Sequence, residues 1–414
     1  MRLTVAANYD SDVVPQLRQY PVVEVYGKFP VDVVGGGRPS YMGTPLGEAD
    51  LRNYVSLLAK QGIAFNYLLN SSCLGNREWT RGFHKKITSL LGRLEQWGIR
   101  WLTVSTPFLL ELIKARFPSF HVKVGIYAQV DTLKRAKFWE DIGADAINLE
   151  SFSINRDFGR LAAIRRAVRC DLQLIANHPC LPNCPLQYYH QSGISHGSDG
   201  SKNIFIDYCF LRCSRMRLED PSLFIKSAWI RPEDLPTYEA MGYETFKLLE
   251  RNMPSEDLLK RVKAYTDRRF EGNLAEILLP YGFKTPVKRQ RFWMLRHFIK
   301  PWQVGLLRGR KFLDLAMSQG MLFATADSPI RIDSASIPAD FLQGFQKREC
   351  AMLDCGECGY CDRIAEKAVH VDSAFRERSL GKYKDVEESM ARGTLWMPLP
   401  PTPARRASGR TTDG

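Results

Sequence analysis

Residues 98–106, GIRWLTVST, decide how this chain folds. They follow an amphipathic helical segment, open on a glycine and run into an apolar stretch that ends in a polar residue. A glycine just past a helix end takes the left-handed cap conformation at little cost, so it reads as a stop signal. The unit recurs. Gly62 precedes AFNYLLN, Gly143 precedes ADAINLES and Gly242 precedes YETFKLL. Further strand candidates are LTVAAN near residue 3, VVEVYG near 22, KVGIYA near 123, LQLIAN near 172 and FIKSAWI near 224. Between them, DTLKRAKFWEDIG reads as an amphipathic helix with Leu133, Ala136 and Phe138 near one stripe. Apolar strands alternating with helices predict a parallel sheet covered on its faces. Eight or nine such strands favour closure, so the expected fold is α/β: a TIM-like (β/α) barrel with a cysteine-rich C-terminal extension.

A barrel of this kind works at the C-terminal ends of its strands. Those ends carry Asn8, Asn70, Thr106, Gln129, Glu150, Asn177 and His178. Polar residues begin most loops, so each alone says little, but as a set they are candidate pocket residues. Glu150, Asn177, His178 and Asn70 are the candidate catalytic group, with Glu150 able to act as a base or hold a cation. His178 reads equally well as a hydrogen-bond support for a neighbouring metal ligand.

The cysteines point to metal. Cys180 and Cys184 in HPCLPNCP, then Cys209 and Cys213 in YCFLRC, form two tight pairs that together complete a four-thiolate site. Zinc and iron–sulfur clusters both accept four thiolates, although zinc ribbons favour two-residue gaps over the three found here. The spacer between the pairs holds His190 and His196, either of which is able to substitute as a ligand. A second group, Cys350, Cys355, Cys358 and Cys361 in RECAMLDCGECGYC, has consecutive two-residue gaps like those that wrap a ferredoxin-type cluster, and Gly356 and Gly359 let the chain pass close to a bound centre. Spacing leaves zinc and an iron–sulfur cluster open at the first group and favours an iron–sulfur cluster at the C-terminal one, with zinc as the alternative there.

Composition fits a metalloprotein of a reducing compartment. Ten cysteines stand in a chain whose N-terminus, MRLTVAANYD, reads directly as a strand and not as a secretion signal, so the expected location is the cytoplasm. No apolar stretch is long enough to span a membrane. The formal net charge of +13 suggests an anionic partner. From Leu278 to Leu313 there is no acidic residue, while basic residues from Lys284 to Lys311 alternate with Phe292, Trp293, Phe298 and Trp302. That mixture suits RNA, and equally suits an amphipathic helix with its rings in a core. The expected organisation is a barrel over 1–280, a basic aromatic-rich connection over 281–345, a cysteine-rich module over 346–397 and a disordered Pro-, Ser- and Arg-rich tail over 398–414.

The run LIANHPCLPNCPLQYYH, then YCFLRC, FIKSAWIRPEDLPTYEAMGYETFKLLERN and LKRVKAYTDRRFEGNL resemble the collagenase-like peptidase family, peptidase family U32. The resemblance covers about residues 1–280 and is strongest from Asn177 to Leu274. Within the family the chain is most similar to the iron–sulfur branch that includes proteins of oxygen-independent ubiquinone hydroxylation, whose related members hydroxylate ribosomal or transfer RNA. The resemblance implies a TIM-like barrel with a [4Fe-4S] cluster on Cys180, Cys184, Cys209 and Cys213, and prephenate as a hydroxyl donor in some branches. Family branches differ in one ligand, which leaves Cys73 or Cys170 as replacements, Cys170 lying before a strand and reading better as a buried thiol. The implied activity is an oxygen-independent hydroxylase or related oxidoreductase acting on a small aromatic substrate or on RNA. A partner subunit in a heterodimer with a related barrel protein is the second reading, an RNA-modifying enzyme the third and a peptidase the last.

Overall fold

The computed structural model describes residues 1–40, 43–199, 207–249, 253–278 and 328–394. The basic segment around Lys284–Lys311 and the tail from 398 lie outside these residues. Eight parallel strands close into one barrel in chain order: β1 (Arg2–Ala6), β2 (Val22–Gly27), β3 (Ala64–Leu69), β4 (Trp101–Val104), β5 (His121–Val124), β6 (Ala146–Asn148), β7 (Asp171–Ile175) and β8 (Thr245–Lys247). Closure comes from β1 against β8, with Leu3 opposite Phe246. The repeat ends as expected: Gly62, Gly98, Gly143 and Gly242 all have positive φ, between 71° and 104°.

Outward residues of the strands, such as Leu3, Val5, Leu102, Val104 and Leu174, pack under the surrounding helices in one hydrophobic core. Helix Arg81–Gln96 contributes Ile87, Leu91 and Leu94 to it, all at 3.6-residue spacing. Helix Leu133–Asp141 departs from the expected stripe. Ala136 and Trp139 are its buried residues, while Leu133 and Phe138 are exposed. Trp139 takes the place one turn on from Ala136, and Phe138, about 100° away around the helix axis, is left outside with its edge on Trp139.

The segment FIKSAWI is not a strand. Residues Leu223–Lys226 form a short helix, because Asp220 accepts from Ser222 N and Oγ and the turn Asp220–Pro221–Ser222 closes on itself before the apolar run begins. The apolar side chains Phe224, Ile225 and Trp229 are buried against the barrel instead of within its sheet. The run KVGIYA is strand only to Val124 and continues as a 3₁₀ turn over Ile126–Ala128. The added side chain at Gly125 would meet Ser105 Oγ at 2.9 Å.

The barrel interior is polar. Glu24 on β2 and Lys123 on β5 meet across it, Lys123 Nζ donating to both carboxylate oxygens at 2.9 and 2.8 Å. Thr103 donates to Asn66 Oδ1 at 2.9 Å and Gln173 Nε2 donates to Thr4 Oγ1 at 3.0 Å. Barrels usually fill this space with branched aliphatic side chains.

The C-terminal extension is docked on the barrel. Strand β9 (Ile330–Ile332) pairs antiparallel with β10 (Val369–Val371), and Ile332 O accepts from Leu274 N. Phe341, Ile364 and Tyr383 join the barrel's own hydrophobic core. Helix Ser373–Ala391 lies along helix Tyr208–Glu219, where Glu387 pairs with Arg212 and Arg215. Among the described residues no helix is long and apolar enough to cross a membrane.

Candidate metal centre at the barrel mouth

The chain leaves β7 through Ala176–Asn177–His178–Pro179 and reaches Cys180 at the C-terminal end of the barrel. Asn177 is a staple. Its Nδ2 donates to Leu249 O and Ile277 O at 2.9 and 3.1 Å, and its Oδ1 accepts from Leu249 N at 2.7 Å. It fixes the loop after β7 to the loop after β8, with no atom left for chemistry in this arrangement. The His178 ring lies 4.3 Å from that of Phe152, tilted by 36°, and its Nδ1 shares a 2.7 Å hydrogen bond with Ser151 Oγ. Burial pushes the imidazole down to about 3, helped by His190, Arg217 and Lys247, so His178 is neutral at ordinary pH.

Cys184 follows in the same loop, and helix Gln187–His196 begins just beyond it. That helix lies over the mouth, where Gln191, Ser195 and Ser198 hydrogen-bond to Gln129, Ser72 and Gly36. The second pair stands on helix Tyr208–Glu219, where Cys209 and Cys213 share a face at i, i+4. Its N-cap, Asp207, accepts from Phe210 N and pairs with His190 Nε2 at 2.8 Å, which commits His190. His196 sits 3.5 Å from Asp199.

The two pairs face each other. Burial is the main cause that raises all four thiols, Cys209 to about 12, and neighbouring cysteines add to it: Cys213 and Cys184 act on Cys180 and on Cys209. Such a set stays protonated unless a cation draws the protons off. Arg217, one turn after Cys213 on the same helix, is that kind of group: its Nη1 lies 3.5 Å from Cys213 Sγ and it lowers Cys180, Cys184 and Cys213. The thiols are gathered and not closed on one point, since among the described residues no three His, Cys, Asp or Glu side chains stand close enough to hold a single ion.

The remaining expected residues have other partners. Glu150 caps the short helix Ser151–Ile154, accepting from Phe152 N, Ser153 N and Ser153 Oγ, with Gln187 Nε2 at 3.2 Å. Burial raises its carboxyl and those hydrogen bonds pull it back. Asn70 accepts from Gly37 N at 3.3 Å, and a side chain on Gly36 would meet Asn70 Oδ1 at 2.5 Å, so Asn70 supports the Gly35–Gly36–Gly37 turn. Asn8 donates to Ser255 Oγ, and Thr106 precedes helix Pro107–Arg116 without capping it. Cys73 Sγ accepts from Gly75 N within its own loop. Cys170 lies at the start of β7, away from the mouth, and burial pushes its thiol to about 12.

Cys350, Cys355, Cys358 and Cys361 form a second neighbourhood. Cys355 raises both Cys350 and Cys361, and Cys350 raises Cys361, which burial brings to about 11. Cys350 and Cys355 are exposed, and Cys358 and Cys361 are half-buried. Lys226 ties this module to the barrel through Asp362 at 2.8 Å. Arg156, buried under Trp229, Phe341 and Phe345, lies near enough to Cys361 and Cys350 to feel their charge.

The two arginines were not singled out by sequence. Arg217 had a signal, a cation four residues after Cys213 on one helix; Arg156 had none, because tertiary packing alone brings it to the extension. Also unforeseen is a shallow cleft on the mouth side of β1 and β2, lined by Tyr9, Lys28, Phe29 and Arg38.

No family model matches the chain. It is 34% identical over 255 residues to a protein of Methanocaldococcus jannaschii described as an uncharacterized protease, covering 62% of this chain and 75% of that one. A solved U32 peptidase is similar over 61% of this chain and 94% of its own, at 19% identity and a TM-score of 0.46. A phospho-2-dehydro-3-deoxyheptonate aldolase of Thermotoga maritima follows at 11% identity and a TM-score of 0.33, covering 64% of this chain and 69% of its own. With its identity and coverage to the archaeal protein, the chain belongs to that protein's family, the collagenase-like U32 peptidase family that its cysteine-bearing segment resembles.

Proposed function

We propose that this protein is an oxygen-independent hydroxylase or related oxidoreductase, with Cys180, Cys184, Cys209 and Cys213 holding a [4Fe-4S] cluster. What supports the reading is one observation: four thiols from two separate elements, one buried and three half-buried, gather beside a buried arginine at the end of a barrel where barrel enzymes work. Four thiolates with a neighbouring cation are a donor set that fits such a cluster. Held by all four thiolates, it would supply electron transfer.

The chain's own residues set the surroundings. Asn177 fixes the loop that presents Cys180, and Glu150 fixes the turn that presents Ser151 to His178. His178, kept neutral, offers a hydrogen bond without adding charge beside the thiolates. The cleft between Tyr9 and Phe29 offers two rings to a small aromatic substrate, while Lys28 at its wall is already paired with Asp32 at 3.0 Å. Oxygen then comes from an organic hydroxyl donor and not from O₂. In this reading Cys350, Cys355, Cys358 and Cys361 hold a second cluster, or zinc, at a more exposed position suited to exchange with a partner subunit. RNA as the substrate depends on the basic segment 284–311.

A peptidase is the second reading, favoured by the relative's description and by the 2.7 Å contact of Ser151 with His178. Ser151 is fully buried, which works against its use as a nucleophile. The two readings separate in one experiment. Protein purified without oxygen should turn over in a hydroxylation assay and lose activity in air together with its cluster absorbance. Peptide hydrolysis by cluster-free protein, lost in Ser151→Ala, would replace the first reading with the second.

A further inference from the structure

We propose that Arg217 and Arg156 are the counter-charges of the two cysteine sites, one to each, and that Arg217 sets the reduction potential of the centre at the barrel mouth. The proposal rests on the reading of the cysteines just given.

Arg217 is 3% exposed. Its Nη2 donates to Pro179 O, its Nη1 faces Cys213 Sγ at 3.5 Å and its guanidinium lies 6.0 Å from the centre of the Phe224 ring. Nε has no hydrogen-bond partner among the described residues. The neighbouring arginines of the same helix are treated differently: Arg212 and Arg215 both pair with Glu387. Arg217 has the sulfurs where they have a carboxylate. Arg156 repeats the pattern at the extension. It donates to Ile225 O and Trp229 O at 2.6 and 3.2 Å, lies 4.6 to 5.0 Å from three aromatic rings and leaves Nε without a partner among the described residues. The nearby carboxylate of Asp234 is already held by Arg231 through two 2.8 Å bonds.

A guanidinium kept from water without an anion is destabilising in the same way as a buried ion pair that has lost one partner. Neutral thiols do not offset that cost. A dication, or a doubly charged iron–sulfur core, on four thiolates carries net negative charge and does. Adding one electron makes that centre more negative still. A cation held in place beside it therefore stabilises the reduced form more than the oxidised one and raises the potential. Arg217 is a positioning residue in this sense. It touches the ligands and not the substrate.

The test is a titration of the full chain, purified anaerobically, with dithionite as the one-electron reductant and the reduced centre followed by electron paramagnetic resonance. Arg217→Met should keep its iron and shift the midpoint of the barrel signal to more negative potential, and Arg217→Lys should restore most of the shift. If Arg217→Met does not accumulate folded, Arg217→Gln, which keeps a donor for Pro179 O without the charge, takes its place. Arg156→Met should leave that signal where it is. An iron-loaded Arg217→Met or Arg217→Gln protein with an unmoved midpoint overturns the proposal, and an equal shift from Arg156→Met overturns the one-to-one pairing. Iron-free wild-type protein would instead remove the reading of the cysteines themselves.

Discussion

Breaking the ion pair inside the barrel should cost more than any single change at the cysteines costs the scaffold. Glu24 and Lys123 sit on β2 and β5, 7% and 5% exposed, and meet at 2.8 to 2.9 Å. At an effective dielectric constant of about 20, two unit charges at 2.8 Å attract by about 6 kcal/mol. Desolvation of the two groups offsets most of this, so the pair adds little net stability. Removal of one partner is another matter, because the remaining charge keeps its desolvation cost and loses its compensation. Lys123→Met and Glu24→Gln should each cost about 3–5 kcal/mol. The double variant replaces a charged pair with neutral groups of similar size, so it should cost no more than either single variant, which puts the coupling energy at about 3–5 kcal/mol or above, the cost of one single variant. Urea unfolding of the four proteins measures it, read from shifts in midpoint at constant slope. Additive costs below about 1 kcal/mol for each single variant would mean that water reaches the pair, and the picture of a sealed polar interior would be wrong.

Three further outcomes follow from the site. His178 is held down to about 3, whereas an unfolded histidine takes a proton near 6.5; below pH 6.5 the unfolded chain therefore binds a proton the folded one refuses, and stability falls by about 1.4 kcal/mol per unit as pH drops toward 3. Urea midpoints between pH 7 and 5 should fall more steeply for wild type than for His178→Gln, and equal slopes would contradict the buried neutral ring. Asn177→Ala leaves Leu249 N and Ile277 O without their Asn177 partner, while Leu249 O keeps Arg261, and should cost about 2–4 kcal/mol in the same assay; a cost under about 0.5 kcal/mol would remove its role as a staple. Cys209→Ser and Cys213→Ser should each lose most of the iron of the barrel site while Cys73→Ser and Cys170→Ser keep it, and the reverse result would reassign the ligands.

Much of the fold could be read directly because the barrel is built from a local repeat. The glycines at 62, 98, 143 and 242 need a positive φ, and that need is visible in the residue itself. FIKSAWI misled because its composition suits a strand, while the turn at Asp220–Ser222 and the barrel surface beneath it decide otherwise. Phe138 misled for a related reason: nothing local says that Trp139 wins the buried position. At the mouth, spacing alone marked the four cysteines, since thiols so placed have few other uses. It did not reveal that Asn177 and Asn70 are occupied by backbone groups, because their partners Leu249, Ile277 and Gly37 lie far away in sequence, nor that Glu150 is spent on capping its own turn at Phe152 and Ser153. Arg156 belongs to the same class. Its neighbours Phe341, Phe345 and Cys361 are nearly two hundred residues away in sequence, and only packing brings them to it.

The central claim is that the cysteines at the barrel mouth hold an iron–sulfur cluster. Iron and sulfide counts on anaerobically purified full-length protein, joined to an electron paramagnetic resonance spectrum after reduction, address it directly. The account predicts about four iron and four sulfide atoms per barrel site, hence about eight of each per chain when the C-terminal cysteines are loaded likewise, with the spectrum of a reduced cubane cluster. About four of each would leave one cluster, with Cys209→Ser deciding which site holds it. Folded protein without iron or sulfide, and with zinc or no metal at the mouth, would contradict it.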